Sequence, residues 1–181
     1  MITLKSKQSG VLLKLLLPLV LGLASVIALP AGGTLAGTEV PFHAQIMQFA
    51  TFAPCPASIS GADACVTQTA VGTATHLGRT TKNSLTALTF VSPNCATFVE
   101  YTTFTAANGD TLTAVQTGTA CFSSPTRVSA TATYTVTGGT GRFSGATGSG
   151  TASTTESATS SGVFVGPATY DGVLSSPGSL H

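Results

Sequence analysis

Residues 134–150 read YTVTGGTGRFSGATGSG, a strand-like alternation that runs into five glycines within eleven residues. Glycine adopts positive φ and lets backbone segments approach closely, so the chain can reverse sharply here. Arg142 and Phe143 are the only large side chains in the turn. They either line a site or close the fold. We favour a barrel-closing turn in which Phe143 plugs the barrel end, and Arg142 holds the loop rather than clamping an anionic ligand.

The first 36 residues have the features of a secretory signal. Lysines at the start are followed by an apolar run at 11–29 and then by small residues. This order is typical of a cleaved signal peptide. An uncleaved membrane anchor is the alternative, because the apolar run approaches spanning length. We predict a signal peptide at 1–36 and one domain at 37–181, secreted to the extracellular space or the periplasm, with membrane contact only through an uncleaved signal.

The exported part carries four basic and six acidic residues, which gives a net charge near −2. Such a chain has no positive surface to hold a phosphate backbone, so a nucleic-acid partner is excluded. Its four cysteines are even in number, which indicates disulfides in an exported chain. There is no CxxC pair, and no histidine has ligand-like spacing to the thiols. We therefore predict no metal site and no cofactor.

Extended runs alternate with turn residues along the rest of the chain. No stretch keeps a helical period over three turns, and about eight short strands at regular spacing indicate an all-β barrel or sandwich. In the sixth run, alternate residues from Val128 to Val136 face one way and threonines face the other. The predicted strands are 39–52, 65–75, 78–91, 95–106, 110–122, 127–137, 147–157 and 162–174.

A hairpin turn is predicted at residues 107–110, where Asn and Gly occur together. Folding the chain about Asn108 places Cys95 opposite Cys121, because each lies thirteen residues from that point. Cys55 and Cys65 then pair locally and staple the loop after the first strand. We favour this connectivity among the three that four cysteines allow.

The glycine-rich segment at 138–148 resembles the GGTGxF turn of dirigent proteins and allene oxide cyclase-like barrels, which small exported bacterial proteins also carry. Segments 72–78, 107–112 and 169–173 are similar to that group too. The resemblance implies an eight-stranded antiparallel β-barrel of the calycin-like kind with a central cavity. Dirigent proteins steer the coupling of phenolic radicals, and allene oxide cyclases steer ring closure of an unstable epoxide. No plant catalytic residue carries over to a matching position here.

Glu100 is the candidate catalytic residue, because it shares a strand face with Phe98 and Phe104. If that face points inward, burial among aromatic rings raises the pKa of the carboxyl group and prepares a general acid. We name Phe98, Phe104, Tyr134 and Arg142 as candidate ligand contacts on the same interpretation.

The alternatives for these positions are structural. Glu100 is solvated if the strand faces the other way, or it pairs with Arg79 or Arg127. His76 lies at a corner between two strands, where an imidazole more often satisfies local backbone groups than transfers protons. Asp171 precedes a glycine, a combination typical of a bend.

Three functions remain open from the sequence. The first is a secreted barrel that binds a small apolar molecule without turnover. The second is an isomerase or cyclase, or a dirigent-like protein, whose cavity orients a reactive intermediate. The third is a structural or interaction module of the cell surface, which includes a homo-oligomer. The volume and polarity of the cavity separate them.

Overall fold

The computed structural model describes residues 38–175, which form a closed antiparallel barrel. Each strand pairs with the next, and the last strand closes on the first. Every strand begins and ends within two residues of its predicted bounds, so the predicted eight-stranded barrel is confirmed. The predicted signal peptide lies outside the described residues. The strands are β1 Glu39–Ala53, β2 Ala64–Ala74, β3 Gly78–Phe90, β4 Cys95–Thr105, β5 Thr111–Ser124, β6 Arg127–Gly139, β7 Gly148–Ala158 and β8 Phe164–Ser175.

One end of the barrel, which we call the plugged end, carries the connections 75–77, 106–110 and 140–147. The glycine-rich segment is the last of these, and its single 3-10 turn Gly141–Phe143 directs Phe143 into the core, where it is fully buried. Gly141 has a φ of 57°, and a Cβ atom there would collide with the carboxylate of Asp110. The predicted barrel-closing turn is confirmed.

The opposite end, which we call the mouth, carries the connections 54–63, 91–94, 125–126 and 159–163. Both disulfides lie here: Cys55 is bonded to Cys65 and Cys95 to Cys121. In the register of β4 and β5, Cys95 stands directly opposite Cys121, as the hairpin about Asn108 predicts. Both bridges therefore brace the rim of the mouth.

The barrel interior follows the period-two alternation of the strands. The predicted inward face of β6 is confirmed, because Tyr134 and Val136 are buried while the four threonines from Thr131 to Thr137 are exposed. The plugged half is filled by a layer of aromatic rings. Phe42, Phe104, Tyr134 and Tyr170 contact one another with ring centroids 5.2–6.2 Å apart. The mouth half is lined mainly by smaller side chains, which leaves space inside.

Candidate binding cavity

The mouth half of the barrel contains a cavity of about 90 Å³ that is partly open to solvent. One water molecule needs about 10–15 Å³ of such space, so the cavity accommodates several waters or one end of a small molecule. Its walls towards the mouth are apolar, and its floor is a set of polar side chains above the aromatic layer. The wall residues include Val66, Leu88, Phe98, Phe122, Ala130 and Phe164.

A buried ion pair lies at the centre of the floor. The Nζ atom of Lys82 is 2.7 Å from Oε1 of Glu100, and the two side chains are 1% and 6% exposed. Nζ also donates to Oε1 of Gln48 at 2.6 Å and to Oε1 of Gln68 at 3.0 Å. An ammonium has three protons to donate, so Lys82 is fully used by protein acceptors.

The hydrogen bonds continue from this pair to a second carboxyl group. Gln48 Nε2 donates to Oε1 of Glu156 at 2.7 Å, and the hydroxyl of Thr154 donates to the same oxygen at 3.2 Å. Glu156 is buried and lines the cavity. Both bonds end on Oε1, so Oε2 accepts no hydrogen bond from the described residues.

On the other side of the pair, Glu100 Oε1 accepts hydrogen bonds from Thr102 at 2.8 Å and from Gln116 Nε2 at 3.1 Å. The same amide nitrogen lies 3.3 Å from the hydroxyl of Tyr170. The network thus crosses the lumen from one wall to the other. We call it the polar layer, and its members are Gln48, Gln68, Lys82, Glu100, Thr102, Gln116, Glu156 and the Tyr170 hydroxyl.

The pKa values of the two carboxyl groups in the polar layer are shifted in opposite directions. Burial alone would raise the pKa of Glu100, but the charge of Lys82 and the hydrogen bonds to it lower the pKa below its ordinary value. At Glu156, in contrast, burial is the largest effect and raises the pKa, although hydrogen bonds from Gln48 and Thr154 oppose the shift. Burial would lower the pKa of Lys82, yet its contacts with Tyr170 and Glu100 raise it. One carboxylate is therefore held ionised, while the other tends towards the neutral acid.

The structure corrects one prediction for Glu100. The residue faces inward, which is one of the two orientations that the sequence leaves open, but its pKa is lowered rather than raised. The reason is the ammonium of Lys82, which lies inside the barrel 2.7 Å from Oε1 of Glu100. Neither Arg79 nor Arg127 is its partner, since both are exposed.

The candidate ligand contacts fall in different places. Phe98 lines the cavity, whereas Phe104 and Tyr134 belong to the aromatic layer of the plugged half. Arg142 is exposed at the plugged end, where its guanidinium lies 5.0 Å from the Phe143 ring centroid and 3.7 Å from Oδ2 of Asp110. The structure therefore brings only Phe98 of these four to the cavity beside Glu100.

Tyr134 has an unusual setting within the aromatic layer. Its hydroxyl has no hydrogen-bond partner among the described residues. Cβ atoms built on Gly150 and Gly172 would lie 2.6 and 2.5 Å from that oxygen. Burial raises the pKa of this phenol to about 12. The paired glycines are thus needed to leave room for the Tyr134 side chain.

Asp171 and His76, the other two residues considered from the sequence, lie on the outer surface of the barrel. Asp171 pairs with Nδ1 of His43 at 2.6 Å on the exposed face. His76 occupies the corner between β2 and β3 with a φ of 65°, and its Nε2 lies 3.2 Å from the carbonyl oxygen of Pro41. Neither group reaches the cavity.

Sequence reasoning missed Lys82, Glu156 and Gln48, of which Gln48 carries the clearest signal. Lys82 occupies the inward series of β3 between Thr80 and Thr86, where a solvated lysine would not be expected. Gln48, in contrast, interrupts an apolar inward series in β1. A polar residue in phase with an apolar alternation is the pattern that marks the polar layer.

Residues 38–175 contain no helix with the length and apolar character that a bilayer span requires. In the same range, no three His, Cys, Asp or Glu side chains are grouped closely enough to hold a metal ion.

No protein-family model and no curated protein sequence matches the chain. Among solved structures, a pterocarpan synthase dirigent protein is similar to it, with a TM-score of 0.46 and 16% identity over 79% of this chain and 89% of that one. At that level of similarity, no residue role or activity is transferred. The chain's own topology settles the architecture as a closed eight-stranded antiparallel barrel.

Proposed function

We propose that this protein is a secreted barrel that binds a small, largely apolar molecule with one neutral polar end. The observation that supports this function best is the two-part lining of the cavity, with apolar walls at the mouth and hydrogen-bonding groups at the floor. Small-molecule sites combine apolar walls with a few polar groups that fix the orientation of the ligand. A purely structural barrel needs no such interior space.

The charges of the floor favour a neutral polar end on the ligand. Lys82 is already neutralised by Glu100 at 2.7 Å and has no free proton to donate. A ligand carboxylate would approach two buried carboxyl groups without a free cation to balance it, which is unfavourable in a poorly solvated site. A ligand hydroxyl can instead donate to Glu156 or to the side-chain oxygen of Gln116, since both residues line the cavity, and a ligand carbonyl can accept from Glu156 in its neutral form.

Secretion is part of the proposal. Two disulfides fit an oxidising compartment, and the predicted signal peptide would direct export.

The cavity is tested with protein purified from culture medium. Native mass spectrometry reports any ligand that co-purifies, and the neutral fluorophore N-phenyl-1-naphthylamine reports an accessible apolar cavity. Ala130→Phe fills the cavity from β6, whereas the matched variant Thr133→Phe places the same ring on the exposed face of that strand. We expect Ala130→Phe to weaken probe binding by at least about tenfold and Thr133→Phe to leave it unchanged.

Two results would contradict the proposal. Equal probe binding by both variants would place the probe outside the barrel, provided that thermal unfolding shows both variants folded. For the polar end, 1-decanol should displace the probe at lower concentration than decanoate. Stronger displacement by decanoate would show that the floor accepts an anion, against the charge argument.

A proton-transferring isomerase is a second candidate, favoured by Glu156. When the environment pushes the pKa values of two carboxyl groups apart, the group with the higher pKa can act as the acid and the ionised group as the base. Here the raised pKa of Glu156 prepares it to donate a proton into the cavity, while Glu100 stays ionised against Lys82. We therefore propose Glu156 rather than Glu100 as the acid of this candidate reaction.

The enzyme candidate is tested on whichever ligand mass spectrometry identifies. Glu156→Gln should abolish conversion of that ligand and keep its binding, because the amide preserves the shape and the bond from Gln48. Unchanged conversion by Glu156→Gln would remove the catalytic role and leave binding alone.

A further inference from the structure

The mouth is surrounded by a complete apolar ring. At this end, each of the eight strands has an apolar residue at a position that belongs to its inward-facing alternation. Four of these eight residues are phenylalanines. Three of these phenylalanines are linked edge-to-face, with Phe164 6.4 Å from Phe52 and 5.8 Å from Phe122 between ring centroids. The ring members are Phe52, Ala64, Phe90, Ala96, Phe122, Val128, Ala158 and Phe164.

Two members of this ring, and Val91 next to one of them, are exposed to solvent. Phe52 is 47% exposed, Phe90 is 44% exposed and Val91 is 63% exposed. Phe90 is held in place, because its backbone N–H donates to Oδ2 of Asp63 at 2.7 Å. Exposed aromatic and aliphatic side chains around an opening mark an interaction surface when they are clustered in this way.

The mouth carries almost no charge. The four mouth connections, all within the described residues, contain Asp63 as their single ionisable side chain, and Arg127 at the start of β6 is the neighbouring cation. The remaining residues of these connections are small, apolar, hydroxyl-bearing, amide or proline residues. One anion and one cation give no net attraction to a charged surface.

We propose that the mouth docks on the surface of a zwitterionic lipid bilayer, so that the cavity exchanges its ligand with the hydrocarbon layer. The loading role rests on the proposed function. A rigid apolar rim without net charge fits the boundary between lipid headgroups and acyl chains, where apolar burial drives binding. The ring also surrounds the cavity entrance, so a protein that covered it permanently would close the path of the ligand.

The absence of tryptophan from the chain allows a direct test. Phe90→Trp places a single reporter at the mouth, and Phe49→Trp places one on the outer wall of β1, where Phe49 is similarly exposed at 40%. Vesicles of phosphatidylcholine, with and without brominated acyl chains, are added to each variant. We expect the emission of Phe90→Trp to shift to shorter wavelength and to be quenched by bromine, while that of Phe49→Trp stays unchanged.

Vesicle sedimentation gives an independent measurement. Phe90→Ser with Val91→Ser should lower the bound fraction by at least about tenfold, because two exposed apolar side chains are lost from the contact. The matched outer-wall pair Met47→Ser with Val71→Ser, exposed at 43% and 54%, should leave it unchanged.

The proposal fails if wild-type protein does not sediment with phosphatidylcholine, if binding needs anionic lipid, or if Phe49→Trp responds as strongly as Phe90→Trp. Capture of a protein partner by the mouth without vesicle binding would likewise overturn it. Phe90 and Val91 lie outside the cavity lining, so fluorophore binding in the absence of vesicles should survive their replacement. Loss of probe binding in Ala130→Phe therefore tests the cavity, and loss of vesicle binding in the mouth variant tests the docking surface.

Discussion

Replacing Lys82 by methionine should destabilise the barrel strongly, because it leaves Glu100 buried without its counter-ion. The two side chains are 1% and 6% exposed, and the pair is 2.7 Å apart. Removing one partner of such a pair typically costs about 3–5 kcal/mol. The oxygens of Gln48 and Gln68 also lose a charged donor at 2.6 and 3.0 Å. We take about 4 kcal/mol, which lowers Tm by roughly 12 °C for a domain of this size.

The assay is urea and thermal unfolding followed by circular dichroism, with the exposed Arg79→Met on the same strand as control. That control should change stability by less than about 0.5 kcal/mol. A second variant that also replaces Glu100 by methionine should recover most of the loss, since no buried charge remains. A cost below about 1 kcal/mol for Lys82→Met would refute the reasoning, because the ion pair would then be no stronger than an exposed one.

The pH dependence supplies a further check on the same variant. In the wild type the pKa of Glu100 is lowered, so its contribution is present above the ordinary carboxyl pKa and is lost as pH falls. Without Lys82, burial alone raises this pKa, and the stability of the variant falls as pH rises above about 4. The difference between wild type and variant should therefore be largest near neutral pH and shrink in acid.

Three more predictions concern other parts of the barrel. Glu156 has a raised pKa, so Glu156→Gln should gain stability relative to wild type as pH rises from about 4 to 7 in urea titrations; a constant difference would contradict the shift. Replacing Cys95 and Cys121 by serine should cost about 3.5 kcal/mol for a bridge of sequence separation 26, measured by unfolding without reductant, and a negligible loss would show that the hairpin needs no staple. Gly150→Ala should lower the free energy of unfolding by about 3 kcal/mol, measured by thermal unfolding. Adding Tyr134→Phe should not restore stability, because the new methyl group also collides with a backbone carbonyl of β8. Restored stability in the double variant would assign the strain to the phenol alone.

The strands and disulfides could be predicted because they depend on local signals. Turn residues such as Asn108 and Gly109 fix where the chain reverses, and the alternation of apolar and polar residues fixes which face is buried. Once the hairpin was centred on Asn108, the pairing of Cys95 with Cys121 followed by counting.

The polar layer could not be predicted in the same way. Lys82 in β3 meets Gln48 in β1 across an intervening strand, and Glu156 in β7 meets Gln48 across β8. Such contacts cross the lumen, and they depend on the stagger of the strands around the closed barrel rather than on any neighbouring pair. Period-two patterning shows that a side chain points inward, but it does not show which residue faces it. The raised pKa expected for Glu100 was wrong because Lys82 reaches it diagonally from the neighbouring strand β3, four residues from Thr86, which is paired with Glu100 in the register.

The polar layer differs from the rest of the barrel interior, which is filled or lined mainly by apolar side chains. In the plugged half, Phe104, Tyr134 and Tyr170 fill the lumen, so this scaffold closes its interior with apolar side chains where nothing has to enter. A buried ion pair is seldom more stabilising than apolar residues of the same volume. Stability therefore does not explain why Lys82 and Glu100 occupy the floor of the cavity that opens to solvent. The pair lies between an apolar entrance and a filled base, where Lys82 holds Gln48 and Gln48 in turn holds Glu156. This placement favours the proposed ligand recognition as the role of the polar layer.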